Sequence, residues 1–400
     1  LLFKQNTTLG FLGFCAALAL SEYTRGHAFT GFPWNLFGYS WISVLPIAQS
    51  VSVIGPYGLT FLTIFWGVLA GFVFCESQKR EKIILGGIGV LSFAALYFYG
   101  AQRISNTQIT MHPDISVTIV QPNIAQEDKW NGQKLGQNFE KHIQLSQNLN
   151  PNKKNIIVWS ETALPPIFLN NAAVNQRIDS VLGDDDILLS GVLDMTLPFE
   201  GKPTSYHNAL GLWQKNQPYK RLYSKSHLVP FGEYIPFQKY IPIPTVTSFS
   251  GFEAGAGVQD IQIAGYPSFS PLICYEVIFP NQSIPLNVPR PDYILTITND
   301  GWYGDSAGPY QHFVQARFRS IEQGIPVVRA ANTGISGVID PLGRVVHKGG
   351  LLEEASVISD LPEKTLNPTL YNRYQDMFFW VFVILCLFPR FVWSIQKKSF

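Results

Sequence analysis

The chain has 400 residues, a net charge of +1 and only 14% charged residues, against roughly 25% in typical soluble domains. Hydrophobic residues reach 46% and aromatic residues 14%. The near-zero net charge argues against a nucleic-acid partner, and the scarcity of charge argues for a membrane.

The deficit is uneven along the chain. Leu1 opens the sequence, with Lys4 just ahead of an apolar run, but no small-residue cleavage site follows. The expectation is a chain that begins partway through a longer protein. Thr8 to Glu22 reads as a short or partly exposed span. Gly26 to Cys75 contains no Asp, Glu, Lys or Arg. Pro46 and the pair Gly55-Pro56 divide that run and leave Ile54 to Cys75 as a spanning helix, which needs about 20 apolar residues. Ile83 to Gln102 is a further span. Asp376 to Trp393 is the last, with Arg390 placed to snorkel.

Between them, Arg103 to Tyr371 carries most of the charge and reads as a globular domain. The loop Glu76 to Lys82 is basic, and so is the tail with Lys397 and Lys398. Positive loops stay cytoplasmic, so span 83–102 would leave the cytoplasm and the last span would return. The globular domain then faces the bacterial periplasm. Cys15, Cys75 and Cys386 lie in apolar spans, so Cys274 is the lone thiol of that domain and cannot form a disulfide within it. Such a thiol is either a small buried hydrophobe or a nucleophile.

Ile115–Val120, Asn155–Trp159, Ile187–Val192, Ala209–Trp213, Tyr293–Thr298 and Val327–Ala331 read as strands. Several are continuous apolar runs, as in sheets covered on both faces. Tyr310–Gln323 has helical spacing, with Gly324 as its C-terminal cap. Leu228–Phe252, rich in Pro and aromatics, reads as long loops.

Three polar groups follow or close apolar runs: Glu161, Lys225 and Cys274. Together they suit acyl transfer. A carboxylate takes the thiol proton, the thiolate attacks a carbonyl, and an ammonium stabilises the oxyanion. Taken singly, Glu161 reads more readily as a helix N-terminal acid and Lys225 as a surface charge.

The blocks VWSETALP (158–165), YSKSHLVPFGEYIP (223–236) and LICYEVIFP (272–280) resemble the three motif blocks of the nitrilase superfamily, in the family's order. More narrowly, SHLVPFGEYIP, CYEVIFP, NDGWYG (299–304) and TGFPWNLFGYS (30–40) resemble the apolipoprotein N-acyltransferases. VQPNIAQEDKW (120–130) and RSIEQGIPVVRAANTGISGVIDPLG (319–343) extend the resemblance over almost the whole chain. It implies an α/β fold, a nitrilase-like αββα sandwich inserted between transmembrane helices. The expected division is 1–102 for N-terminal spans, with further spans missing ahead of them. The catalytic domain is 103–372, and a last span with a basic tail is 373–400. The resemblance implies Glu161 as base, Lys225 as oxyanion stabiliser and Cys274 as nucleophile. Glu233, Glu276 and Tyr275 are implied as supporting residues, and Trp130 is matched too, as a substrate-binding residue. Asn299 and Asp300 are expected on the site wall, where they would bind substrate.

The implied donor is a phospholipid, and the implied acceptor is the α-amine of a diacylglyceryl-modified apolipoprotein. No cofactor is implied. His207, His227 and His312 are scattered without metal-ligand spacing. A membrane-tethered amidase is the alternative, with the same triad and water as acceptor. A non-catalytic scaffold is the third reading.

Overall fold

The computed structural model describes residues 7–74, 78–197, 204–236, 251–286 and 289–398, with side chains described as far as 388. In chain order, helices α1 (Thr7–His27), α2 (Leu45–Ala48), α3 (Val51–Phe72) and α4 (Lys79–Asn106) come first. Then follow β1 (Met111–Gln121), α5 (Leu135–Leu145), β2 (Lys154–Leu164), α6 (Pro166–Leu169), α7 (Ala172–Asp179), β3 (Ile187–Thr196), β4 (Ser205–Gln214) and β5 (Lys220–Ser224). The second half holds β6 (Phe269–Ile273), β7 (Tyr293–Thr298), α8 (Ala307–Gln323), β8 (Val327–Ala331), β9 (Gly337–Ile339), β10 (Val345–Lys348) and β11 (Ala355–Pro362). Short α9 (Leu370–Tyr374) and α10 (Met377–Lys398) close the chain.

The strands form two sheets, ordered β11-β1-β2-β3-β4-β5 and β10-β9-β8-β7-β6. Side chains alternate along a strand, and here both faces are covered. Ile156 and Val158 of β2 point between the sheets, where they meet Phe269, Leu295, Ile297 and Val328. Their neighbours Ile157 and Trp159 point outward onto Phe139 and Ile143 of α5 and Val174 and Ile178 of α7. On the far side, Leu272, Ile294 and Val327 pack on Phe313 and Ala316 of α8. The result is the expected αββα sandwich. Gly324, at φ 64 and ψ 36, ends α8 in the left-handed region that glycine adopts without strain.

Outside the sandwich, α1, α3, α4 and α10 pack around Phe11, Cys15, Ile54, Phe65, Leu85, Phe379 and Val383. Phe318 and Ile321 of α8 join this second core, so one helix serves both bodies. Among the described residues, two helices are long and apolar enough to cross a membrane: Val51–Phe72 and Lys79–Asn106. Met377–Phe388 is a shorter apolar stretch. The first expected span lies within α1, which also carries Glu22 and Arg25 and falls short of that composition. Residues 237–250 of the Pro-rich stretch and 75–77 of the basic loop lie outside the described residues.

Candidate active site

Each of the three expected catalytic residues sits where its strand is forced off course. Trp159 pairs with Ser190, and the next pair is Leu164 with Val192. Ser160 to Ala163 therefore bulge opposite Gly191. A Cβ on Gly191 would lie 2.4 Å from Ser160 O and 2.5 Å from Glu161 Cα, so only glycine lets the bulge close. Thr162, inside the bulge, has φ 46. Lys225 directly follows β5, where its N–H donates to Asn208 O and its carbonyl accepts from Gly255 N, each at 2.8 Å. Cys274 ends β6 at φ 51, a backbone conformation uncommon outside glycine. A 3-10 turn, Cys274–Ile278, begins there.

These residues converge. Lys225 Nζ donates to Glu233 Oε1 at 2.8 Å and lies 3.6 Å from Glu161 Oε1. Asn208 Nδ2 donates to Glu161 Oε1 at 2.7 Å and to Glu233 Oε1 at 3.2 Å. The Asn299 N–H donates to Glu161 Oε2 at 2.9 Å. Glu161 is thus gripped at both oxygens and oriented. Lys225, Glu161 and Cys274 are all buried. Burial would lower the Lys225 pKa, but Glu233 and then Glu161 outweigh it and hold the ammonium above its ordinary value. Burial first, and then Glu161, push the Cys274 thiol up to about 12, against the opposing pull of Lys225 and a hydrogen bond with Thr298. A thiol so raised is protonated at neutral pH. It becomes a nucleophile only as a base takes its proton.

A model of the carbon-nitrogen hydrolase family matches residues 116–370. A model of the apolipoprotein N-acyltransferase N-terminal domain matches residues 1–69. The apolipoprotein N-acyltransferase of Rhodopseudomonas palustris is 36% identical over 384 residues, covering 92% of this chain and 71% of that protein. That of Bradyrhizobium diazoefficiens is 37% identical over 395 residues, with 94% and 72% covered. That of Rickettsia prowazekii is 35% identical over 396 residues, with 98% and 78% covered. The chain belongs to the apolipoprotein N-acyltransferase family.

In this family member the N-terminal part reaches the turn that begins at Cys274. Tyr275 OH donates to Gly31 O at 2.7 Å, tying the turn at Cys274 to the loop after α1. Trp34 of the same loop donates through Nε1 to Gln311 Oε1 and accepts at its carbonyl from Gln315 Nε2, both at 2.6 Å. The Trp34 ring stacks on His312, with centroids 5.3 Å apart.

The remaining expected residues divide. Glu276 is buried. Its carboxylate accepts from Tyr223 OH, the Ser226 and His227 N–H groups and the Ile273 N–H, at 2.7 to 3.0 Å. It therefore fastens the segment after Lys225 to the strand that ends at Cys274. Asn299 donates its N–H to Glu161 Oε2. Asp300 is buried, where Oδ2 accepts from Arg329 Nη2 at 2.7 Å and Oδ1 lies 2.8 Å from His312 Nδ1. His312 Nε2 in turn lies 3.2 Å from Cys274 O. Trp130 is half-exposed. His227 borders the site, stacked on Phe279 at 3.9 Å. Among the described residues no cluster of His, Cys, Asp and Glu could hold a metal ion.

Sequence reasoning passes over Lys129, Asn208 and Arg329, and weighs His312 only as a metal ligand. Arg329 did leave a signal. It is a charge inside a strand buried on both faces, and such a charge needs a partner. Lys129 stands beside Trp130 within a motif block. Nothing in the sequence joins Asn208 to Glu161.

Proposed function

We propose that this family member moves an acyl chain from a phospholipid, through a thioester on Cys274, to the α-amine of a diacylglyceryl-cysteine at a lipoprotein N-terminus. The convergence of Glu161, Lys225 and Cys274 carries this reading. Glu161 takes the thiol proton as Sγ attacks the ester carbonyl. Lys225 stabilises the oxyanion. As the tetrahedral species collapses, the lysophospholipid alkoxide leaves with the proton held by Glu161, and the acyl group stays on sulfur. The amine then attacks the thioester, Glu161 accepts a proton from it, and the thiol is regenerated. Glu233 holds the shorter bond to Lys225, and Glu161, oriented by Asn208 and Asn299, acts as the base.

A bilayer setting supports the same reading. Ile83, Val90, Leu91 and Phe98 of α4 are exposed, an apolar face suited to lipid. Phe29, Phe32, Phe231 and Trp302 are exposed on the loops near the site. They and the described residues 228–236 would receive acyl chains arriving sideways from the membrane. The catalytic domain, 103–372, lies on the periplasmic side of the bacterial inner membrane, with the basic loop at 76–82 on the cytoplasmic side. A reporter active only outside the cytoplasm should work when fused after Asn106. Activity of a fusion after Phe74 instead would reverse this orientation.

The test of function supplies phospholipid with a labelled acyl chain and a diacylated lipopeptide with a free α-amine. Label should appear as an amide on the lipopeptide, and Cys274→Ala should abolish it. Hydrolysis of small amides with no transfer would favour a membrane-tethered amidase.

A further inference from the structure

The bulge that carries Glu161 is held from a direction that neither the triad nor its supporting carboxylates account for. A residue pushed out of a strand leaves its backbone groups without ladder partners, and a buried carbonyl in that state is costly. Glu161 O is such a carbonyl, and Lys129 Nζ donates to it at 2.8 Å. Lys129 is itself buried, at 8% exposure, which is unusual for a lysine without a function or a partner. No Asp or Glu carboxylate forms a salt bridge with it among the described residues.

The loop that brings Lys129 to this point is fixed. After β1, Ile124 N–H donates to Asn332 Oδ1 at 3.0 Å, and Asn332 Nδ2 donates back to Ile124 O at 2.7 Å. The same Nδ2 also reaches Asn299 Oδ1 at 3.1 Å, and the Asn299 N–H holds Glu161 Oε2. The loop, the bulge and the site wall therefore form one hydrogen-bonded unit around Glu161.

We propose that Lys129 is a positioning residue of the acyl-transfer site: its amine closes the Glu161 bulge and so sets where the Glu161 carboxylate stands relative to Cys274. Lys129 reaches the chemistry only through Glu161, and the inference rests on Glu161 being the base. Its surroundings agree with that place. Burial lowers its pKa to about 8, with Glu161 and then Cys274 pulling it back up. An amine and an ammonium both carry N–H donors, so the bond to Glu161 O survives either charge state.

The experiment is a double-mutant cycle on the full chain in detergent or bilayers, read as the rate at which Cys274 is acylated by labelled phospholipid. Lys129→Met keeps the apolar stem and removes the donor. It should slow loading on the order of 10²-fold, the scale of a misplaced catalytic group, with KM for phospholipid within about twofold. Added to Glu161→Gln, it should cause no further loss, because two residues acting as one unit are not additive. Thermal unfolding of each variant separates positioning from loss of fold. Full-speed loading by Lys129→Met would overturn the inference. So would a loss that repeats undiminished in the Glu161→Gln background, or one that only follows the unfolded fraction. If Glu161→Gln itself loads at the parent rate, the assignment of the base fails first, and the two failures are told apart.

Discussion

In front of Cys274 stand Lys225 and two carboxylates, Glu161 and Glu233; behind it stand Asp300, Arg329 and His312. Both groups are largely buried, and both are built around an ion pair. They differ in what the pairing leaves open. In front, Lys225 is shared unequally, 2.8 Å from Glu233 and 3.6 Å from Glu161, so Glu161 is held mainly by neutral donors rather than by the ammonium. Behind, Asp300 gives one oxygen to Arg329 and turns the other to His312, and the ring's second nitrogen faces the Cys274 carbonyl. In that second group both Asp300 oxygens and both His312 nitrogens are engaged, while Arg329 Nη1 has no hydrogen-bond partner among the described residues. The front is arranged to react, and the back to hold the backbone of Cys274 in its left-handed conformation. Trp34, stacked on His312, extends that hold to the helical part of the chain.

The division predicts effects of different kind and size. The largest belongs to the front. Glu161→Gln should slow acylation of Cys274 by about 10² to 10⁴-fold, the usual range for general base catalysis, while leaving thermal unfolding nearly unchanged. Loading measured by mass spectrometry against time decides it. Next comes the back. Arg329→Met strands Asp300 in the interior and should destabilise the protein by about 3–5 kcal/mol, as breaking a buried ion pair does. An unchanged unfolding midpoint with slowed loading would erase the distinction between the two sides.

Glu233→Gln should act on rate and on its pH dependence together. With its largest charged partner gone, Lys225 keeps only the weaker pull of Glu161 and Cys274 against burial, and its pKa falls. Loading should fall by about 10²-fold, comparable to losing one oxyanion donor. The loss should deepen as pH rises and Lys225 gives up its proton. A flat profile between pH 7 and 10 would mean that Glu233 does not keep Lys225 charged.

The smallest effect is on acid stability. Burial alone would raise the Asp300 pKa, but Arg329 and His312 hold it at about 2. The ordinary carboxylate value is about 3.9. Its contribution, about 2 kcal/mol, is present above the unfolded-state pKa and is lost as pH falls from there toward 2. Asp300→Asn should remove that part of the acid transition. A transition of the same steepness in the variant would place the acid sensitivity elsewhere.

The same contrast explains what was legible in the sequence. Interior strands announce themselves as largely apolar runs, and β1, β2, β3, β4, β7 and β8 were readable for that reason. The strands that escaped are mostly edges of the two sheets. β5 reads KRLYS, half of it exposed. β6 contains Pro271, which an edge strand tolerates because its missing N–H breaks no inner ladder. β11 leaves Ile358 exposed and Ser356 and Asp360 half-buried on one side, so its pattern is broken. Two of those hidden edges lead straight into Lys225 and Cys274, so the chemistry was visible as motif residues before the strands that deliver them.

The front of the site was legible because its residues sit within compact motif blocks. The back was not. Asp300 is read locally as part of the wall, yet its partners Arg329 and His312 arrive from β8 and α8, and only folding turns the carboxylate inward. Glu276 followed the same pattern: adjacent to Cys274 in sequence, it binds the segment after Lys225.

The central claim is that Cys274 carries the acyl group between donor and acceptor. The most direct test gives the full chain phospholipid labelled in one acyl chain and maps the protein by mass spectrometry. The account predicts label on the peptide containing Cys274, and its disappearance onto the α-amine of an added diacylated lipopeptide. A labelled lipopeptide formed with no trace of label on Cys274 under single-turnover conditions would contradict it.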